Sequence, residues 1–543
     1  MSVIAPRSGY LATLSRSGFV GLCGLLPILI FTSCTKHEPT AAGPVLRLSQ
    51  RNEPATLDPQ LAALPDDFFI IRALSEGLLT PGVDGQAPQP AVAERWSIAP
   101  DGRTYTFDLR ADARWSNGDA VTAADFVYSI RRILSPALAA PKASLFFPLK
   151  NAAAFYAGRQ SDFTAVGVRA VGDHRLELTL EEPAADFLAR VASGPWIPVH
   201  PATIRKFGRD DERGTAWTRP ENFVGNGPFT LTAWRPNQEI TVTRSRTYPD
   251  AASVRLTQIR FLAIDNGDSE DRAFRAGQLD VTMSVPSSKL AVYRAAHPPV
   301  LRSIPLHEIR YLALNTTRPP LDDRRVRRAL ALALDRTALT EKVLLGGQAP
   351  AFNFLPPGLG GYAPDARLSE DGAEARRLLA EAGFPGGRNF PRLEMTAWYN
   401  PPVLEAIQQM WQRELGIEVT IAQREARSHL AALVAGDYAI ALMTAIPDYD
   451  GASDLSDNLR TGNPLNYPHW SNASFDRLVS EADRTDPAVA RNRAYQRAEQ
   501  VLLEDMPLIP LYFNTQNFLI RPSVRNWQTD RLWTRFYKSV SVE

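Results

Sequence analysis

At 543 residues the chain is too long for a single hydrophobic core and predicts two or three domains. With 44% hydrophobic and 22% charged residues it has the composition of a folded globular protein. Its net charge is +1 with both signs interspersed, so it offers no basic stripe for phosphates and argues against a nucleic-acid partner.

The N-terminus differs in kind from the rest. Arg7 and Arg16 precede the apolar run GFVGLCGLLPILIF, which has the order of an export signal and is short for a spanning helix. Thr32 and Ser33 then lead into Cys34, a pattern that resembles the cleavage box of bacterial lipoproteins, in which the cysteine is acylated. Phe31 stands where leucine is commoner, and a plain secretory signal with a chance cysteine is the alternative. Residues 1–33 are therefore expected to be a signal peptide and 34–43 a tether. Cys23 falls inside the removed segment, so the exported chain has no disulfide and relies on its cores for stability.

From VLRLSQ onward the pattern is mixed α/β. Asp101-Gly102 marks a turn, and Tyr105, Phe107 and Leu109 alternate as a half-buried hairpin strand. Thr122 and Asp125 have capping-box spacing before a helix whose face is Phe126, Val127, Ile130 and Leu134. HRLELTLEEP alternates again, and GPFTLTAW, EITVTRS and VRLTQIRFLAI form a strand-rich block. A strand ends at Leu314-Asn315. Asp322 or Asp323 then caps a helix with the stripe Val326, Leu330, Ala333 and Leu334. GAEARRLLAEAG is a helix stopped by Gly383 and Pro385. RLEMTAWY, PVLEAIQQMWQREL and GIEVTIAQ predict a parallel strand–helix–strand unit, followed by a helix and strand in HLAALVAGDYAIALMTAI. That strand runs straight into the acidic loop PDYDGASDL.

Catalytic signatures are missing from the sequence. The seven histidines show no metal-ligand spacing, and no nucleophile elbow, phosphate loop or dinucleotide fingerprint is present. The loop from Asp448 fails as a calcium site on register, with Gly451 fourth and Leu459 twelfth. A solvated acidic turn is its simplest reading. No metal and no cofactor are expected. A two-carboxylate hydrolase is not removed by counting, but the balance favours binding over catalysis.

Several blocks in order carry a family resemblance. RNEPATLDPQ with RALSEGLLTP, then AERWSIAPDGRTYTFDLRADARWSNGDAVTAADFVYSIRR, NGPFTLTAW, FRAGQLDVT, LNTTRPPLDDRRVRRALALALDR and AEQVLLEDMPLIPLYF together resemble the family 5 solute-binding proteins, the oligopeptide-binding components of ABC importers. The resemblance implies an α/β periplasmic-binding-protein type II fold of the three-domain class (cluster C), two-lobed with a hinge. Carried onto this chain, domain I is 44–75 plus 200–307 plus 516–543, domain II is 76–199 and domain III is 308–515, with crossings near His307/Glu308 and Thr515/Gln516. It further implies a monomer, not an enzyme, that takes a peptide ligand in a closing cleft, passes it to ABC permease subunits and is held to the membrane by its lipid anchor on the periplasmic or outer face. Nickel chelates, sugars and opines are the alternative cargoes.

The same resemblance places an aspartate for the peptide's N-terminal ammonium at Asp448, beside Tyr449. The preceding strand segment Thr444, Ala445 and Ile446 would pair with the ligand backbone as an added strand. Leu64, Ser284, Val285 and Tyr311 match other cleft positions, for which local packing is an equal reading. Three departures stand out: Ala445 replaces a tryptophan, Leu442 and Leu433 replace basic residues that face the cleft in relatives, and Lys142 replaces a tyrosine of domain II.

Overall fold

The structure is a computed structural model that describes residues 43–83, 85–399 and 401–543. Cys34, the expected signal peptide and the tether up to residue 42 lie outside the described residues.

Strand β1 (Val45–Gln50) and helix α1 (Pro65–Leu74) open the described chain. The next segment builds its own sheet from β2 (Ala93–Ile98), β3 (Thr104–Leu109), β4 (Val168–Ala170) and β5 (Arg175–Thr179), all antiparallel in the order β2-β3-β5-β4. β3 buries Tyr105, Phe107 and Leu109 on one face, as the alternation predicts. Helix α2 (Ala123–Ile133) packs on this sheet, and its capping box forms: the Thr122 N–H donates to Asp125 Oδ2 at 2.8 Å.

The chain then returns to β1. Strands β6 (Phe229–Arg235), β7 (Glu239–Arg244) and β8 (Gln258–Ala263) complete a four-stranded sheet in the order β1-β8-β7-β6, with β1 parallel to β8, and helix α3 (Gly267–Arg275) follows. These two sheets, with their separate cores, make one lobe.

The long strand β9 (Leu301–Leu314) carries the chain into the other lobe. Helix α4 (Arg324–Leu332) is capped by Asp323, whose side chain accepts from the Arg325 N–H. Helix α5 (Gly372–Glu381) ends before Gly383, which sits at φ +100°, a conformation that favours glycine. Then come β10 (Leu393–Ala397), α6 (Pro401–Leu415), β11 (Val419–Gln423), α7 (Ala426–Ala435) and β12 (Ile440–Ala445). β10 and β11 pair in parallel, the predicted strand–helix–strand unit. Helices α8 (Ala452–Asp457), α9 (Ala473–Arg484) and α10 (Ala488–Asp505) lead to β13 (Leu508–Leu519), which recrosses to the first lobe.

The second lobe's sheet runs Ala349–Pro350, β13, β9, β12, β10, β11, with a core on each face. Along β9, Leu312 and Leu314 enter one core while Ile309, Tyr311 and Ala313 enter the other. Along β12, Ile440 and Leu442 face the first and Ala441 and Met443 the second. Leu442 and Leu433 are both fully buried, so these positions are core and not cleft wall, a correction to the expectation that they stand where cleft-facing basic residues would.

β9 and β13 are the two crossings, and they lie side by side. Their antiparallel ladder runs from Leu301↔Leu519 to Pro305↔Thr515, breaks, and resumes at Ile309↔Phe513. Leu306–Glu308 bulge against Asn514, beside the crossing points expected from the sequence.

Candidate functional site

Between the lobes lies a cavity of about 700 Å³. The first lobe contributes the start of α1 and its approach, including Leu64, Phe68 and Arg72, together with Lys142 and Gly194-Pro195. The second contributes Glu308 and Arg310 of β9, Trp398 and Tyr399 after β10, and Thr444, Ile446 and Asp448 at and beyond the end of β12. A second hollow of about 640 Å³ shares Arg72, Asp448, Leu532 and Thr534 with it, so the two are parts of one cleft.

Asp448 stands at the cleft edge, and its carboxylate is already paired. Lys142, from the opposite lobe, places Nζ 2.8 Å from Asp448 Oδ2, both side chains about a quarter exposed. Burial pulls the Lys142 ammonium down, but Asp448 more than offsets it and the net shift is upward. Behind this pair, Asp454 accepts the Asp448 backbone N–H at 2.7 Å. Burial pushes the Asp454 carboxyl up to about 8, with the nearby Asp448 charge adding to the shift.

Other predicted residues divide into two groups. Thr444 lies in the cavity wall, its Oγ1 2.6 Å from the Tyr399 hydroxyl. Ile446 and Leu64 also line the cavity, and Leu64 is an exposed leucine at the N-cap of α1. Ala445 pairs with Ile309 in the ladder and packs against the core. The ladder between β10 and β12 stops at Thr396↔Ala441, which leaves the far edge of Leu442–Ala445 without a strand partner among the described residues.

The remaining positions lie elsewhere. Tyr449 is buried, and it packs into the first lobe's core with its hydroxyl 2.7 Å from Ser453 Oγ. Tyr311 is a core residue set edge-on against Phe354 at 5.5 Å, because odd-numbered side chains of β9 point away from the cleft-side core. Ser284 is tied to Glu270 by its N–H and its hydroxyl, and Val285 packs on a satellite cluster with Phe274 and Leu279. None of these four lines the 700 Å³ cavity, although Tyr449 borders the 640 Å³ hollow beside it.

Several cleft residues carry no sequence motif. Glu308, buried at the bulge of β9, receives Arg310 at 2.6 Å, the Asn514 amide at 3.1 Å and the Trp533 indole N–H at 2.9 Å. Arg310 also lies 4.9 Å from the centre of the Tyr399 ring, and despite burial these neighbours hold it charged. Burial lowers Arg72 to about 10, against the opposing charge of Asp530. The basic residues of this wall are scattered singly along the chain, and only folding collects them.

The lobes touch, so this is a closed conformation. Besides the Lys142–Asp448 pair, Ser453 hydrogen-bonds Asp186, Arg190 reaches Asp457 at 3.9 Å and lies 4.6 Å from the Tyr449 ring centre, and the Ala185 N–H donates to the Asp483 carbonyl at 3.3 Å. No cluster of residues able to hold a metal ion is found among the described residues, and no described helix is long and apolar enough to cross a membrane.

Comparison with known proteins gives consistent matches. The family described as "Bacterial extracellular solute-binding proteins, family 5 Middle" matches residues 87–467. The chain is 35% identical to the probable deoxycholate-binding periplasmic protein YgiS of Escherichia coli, covering 90% of this chain and 91% of that protein. It is 31% identical to the periplasmic oligopeptide-binding protein OppA of Salmonella typhimurium, covering 92% and 94%. Among solved structures, the murein tripeptide binding protein MppA of Escherichia coli superposes with a TM-score of 0.83 at 29% identity, over 92% of this chain and 99% of that one. The unliganded open form of MppA gives 0.73 over 92% and 98%, as expected if this chain is closed.

Proposed function

Because the chain belongs to the bacterial extracellular solute-binding proteins of family 5, with their two-lobed type II binding-protein fold, we propose that it captures peptides in the cleft between its lobes and delivers them to an ABC permease. The observation that carries this reading is the open edge of β12 inside the cleft. Past Ala441 it has no strand partner on that side among the described residues, and a guest laid along Thr444–Ile446 completes the sheet. Main-chain pairing is indifferent to side chains, so it suits a receptor for peptides of varied sequence. Asp448 and Lys142 hold the guest's leading end, Thr444, Ala445 and Ile446 its backbone, and Leu64 with Trp398 and Trp533 its apolar side chains.

The separate sheets and cores support a three-domain division. Domain I is 44–75, 200–307 and 516–543, domain II is 76–199 and domain III is 308–515. The protein acts as a monomer without a cofactor, outside the cytoplasmic membrane and anchored through Cys34, and it performs no chemistry on its cargo.

Native mass spectrometry of the protein purified without denaturation tests the reading, since a closed cleft retains its guest. Peptides among the released species support it. A bile-acid anion, the kind of cargo named for the Escherichia coli relative, or a sugar or chelate in their place would replace it.

A further inference from the structure

Closure brings an ammonium of the chain itself to the place where a peptide's N-terminal ammonium would bind. We propose that the cleft is built for peptides whose N-terminus carries no charge, such as N-acylated peptides, with Lys142 supplying the ammonium that Asp448 holds. This rests on the peptide reading and narrows it.

Three observations converge. First, Lys142 and Asp448 come from opposite lobes and meet at 2.8 Å, so the carboxylate's demand for a cation is met by closing. A guest's ammonium must evict Lys142, which exchanges one ion pair for another and leaves a second cation beside it in a largely enclosed space. Asp454 offers Lys142 no ready refuge, because it is buried and engaged by the Asp448 N–H.

Second, an ammonium has three N–H donors, and Asp448 is the one hydrogen-bond acceptor that Lys142 Nζ has among the described residues. The remaining donors belong to a side chain that lines the cavity. They complement an oxygen acceptor at the guest's leading end, such as the carbonyl of an N-acyl group, and not another donor.

Third, the cavity wall carries the cations Arg51, Arg72, Lys142 and Arg310 against the carboxylates Asp66, Glu308 and Asp448. One positive charge is in excess. A peptide with a blocked N-terminus and a free C-terminal carboxylate brings the matching negative charge, whereas a zwitterionic peptide leaves the excess uncompensated.

Calorimetry on the exported chain tests this with tri- to pentapeptides synthesised in matched free and N-acetylated forms. The acetylated member of each pair should bind about tenfold or more tightly. Lys142→Met keeps the aliphatic stem, frees Asp448 for a guest ammonium and should invert the preference. Lys142→Gln serves as the second variant should the first not fold. Free forms that bind the natural chain as well as the acetylated ones, and that lose affinity in Asp448→Asn, overturn the proposal while leaving the peptide reading intact. An acetyl preference that survives both Lys142 substitutions overturns the role given to Lys142. Failure of every peptide in both forms overturns the peptide reading and this proposal with it.

Discussion

Asp448 shows what a residue's neighbours do to its role. The acidic loop after β12 was legible because an apolar strand ending on carboxylates at a lobe edge is unusual, and the family resemblance pointed to the same side chain. Its partner was not legible: Lys142 is 306 positions away and appeared only as an odd replacement for tyrosine. Asp448→Asn removes one partner of a pair that is about a quarter exposed, so the effect should be smaller than for a fully enclosed pair. Calorimetry with a co-purifying ligand should show affinity weakened by roughly 1–3 kcal/mol, because the variant leaves Lys142 unpaired whenever the cleft is shut. Small-angle scattering of the unliganded variant should shift toward the open form. An unchanged profile and affinity would remove Asp448 from the closing mechanism.

Among the elements, strands and helices with one solvated face are legible in the sequence, since alternation on β3 and the capping box of α2 reflect local physics. β9 and β12 were harder. Both faces of their sheet are buried along Tyr311–Leu314 and Ile440–Met443, where the run is apolar on both sides and the pattern does not say which face meets the cleft. For Tyr311 and Leu442 only the family resemblance points to the cleft wall, and both side chains are buried in the cores. The junction of β12 with α8 also carries a pH dependence. Burial and the adjacent Asp448 raise the Asp454 carboxyl, so the folded, closed chain binds a proton that the unfolded chain has released at neutral pH. For a raised carboxyl the sign is definite: stability is greater in acid and falls as pH climbs from the ordinary aspartate range toward about 8. Thermal melts of Asp454→Asn across that window should show a weaker fall than the natural chain. A parallel fall in both would place the proton elsewhere.

For the whole molecule, the order of blocks along the sequence anticipated a two-lobed receptor, and the comparisons agree over nine-tenths of the chain. The proposed anchoring through Cys34 belongs to the same scale. Cys34→Ala should move the protein from the membrane to the soluble fraction on cell fractionation, with ligand affinity unchanged; a variant still sedimenting with membranes would refute anchoring at that residue.

The paired crossings have a kinetic meaning. Two ribbons tied to each other above and below a shared bulge resist sliding and twisting, which leaves the lobes a single swing. A guest that settles on one jaw therefore meets the other already in register. Much of the search that would otherwise slow capture has been done in advance by the fold, before any guest arrives.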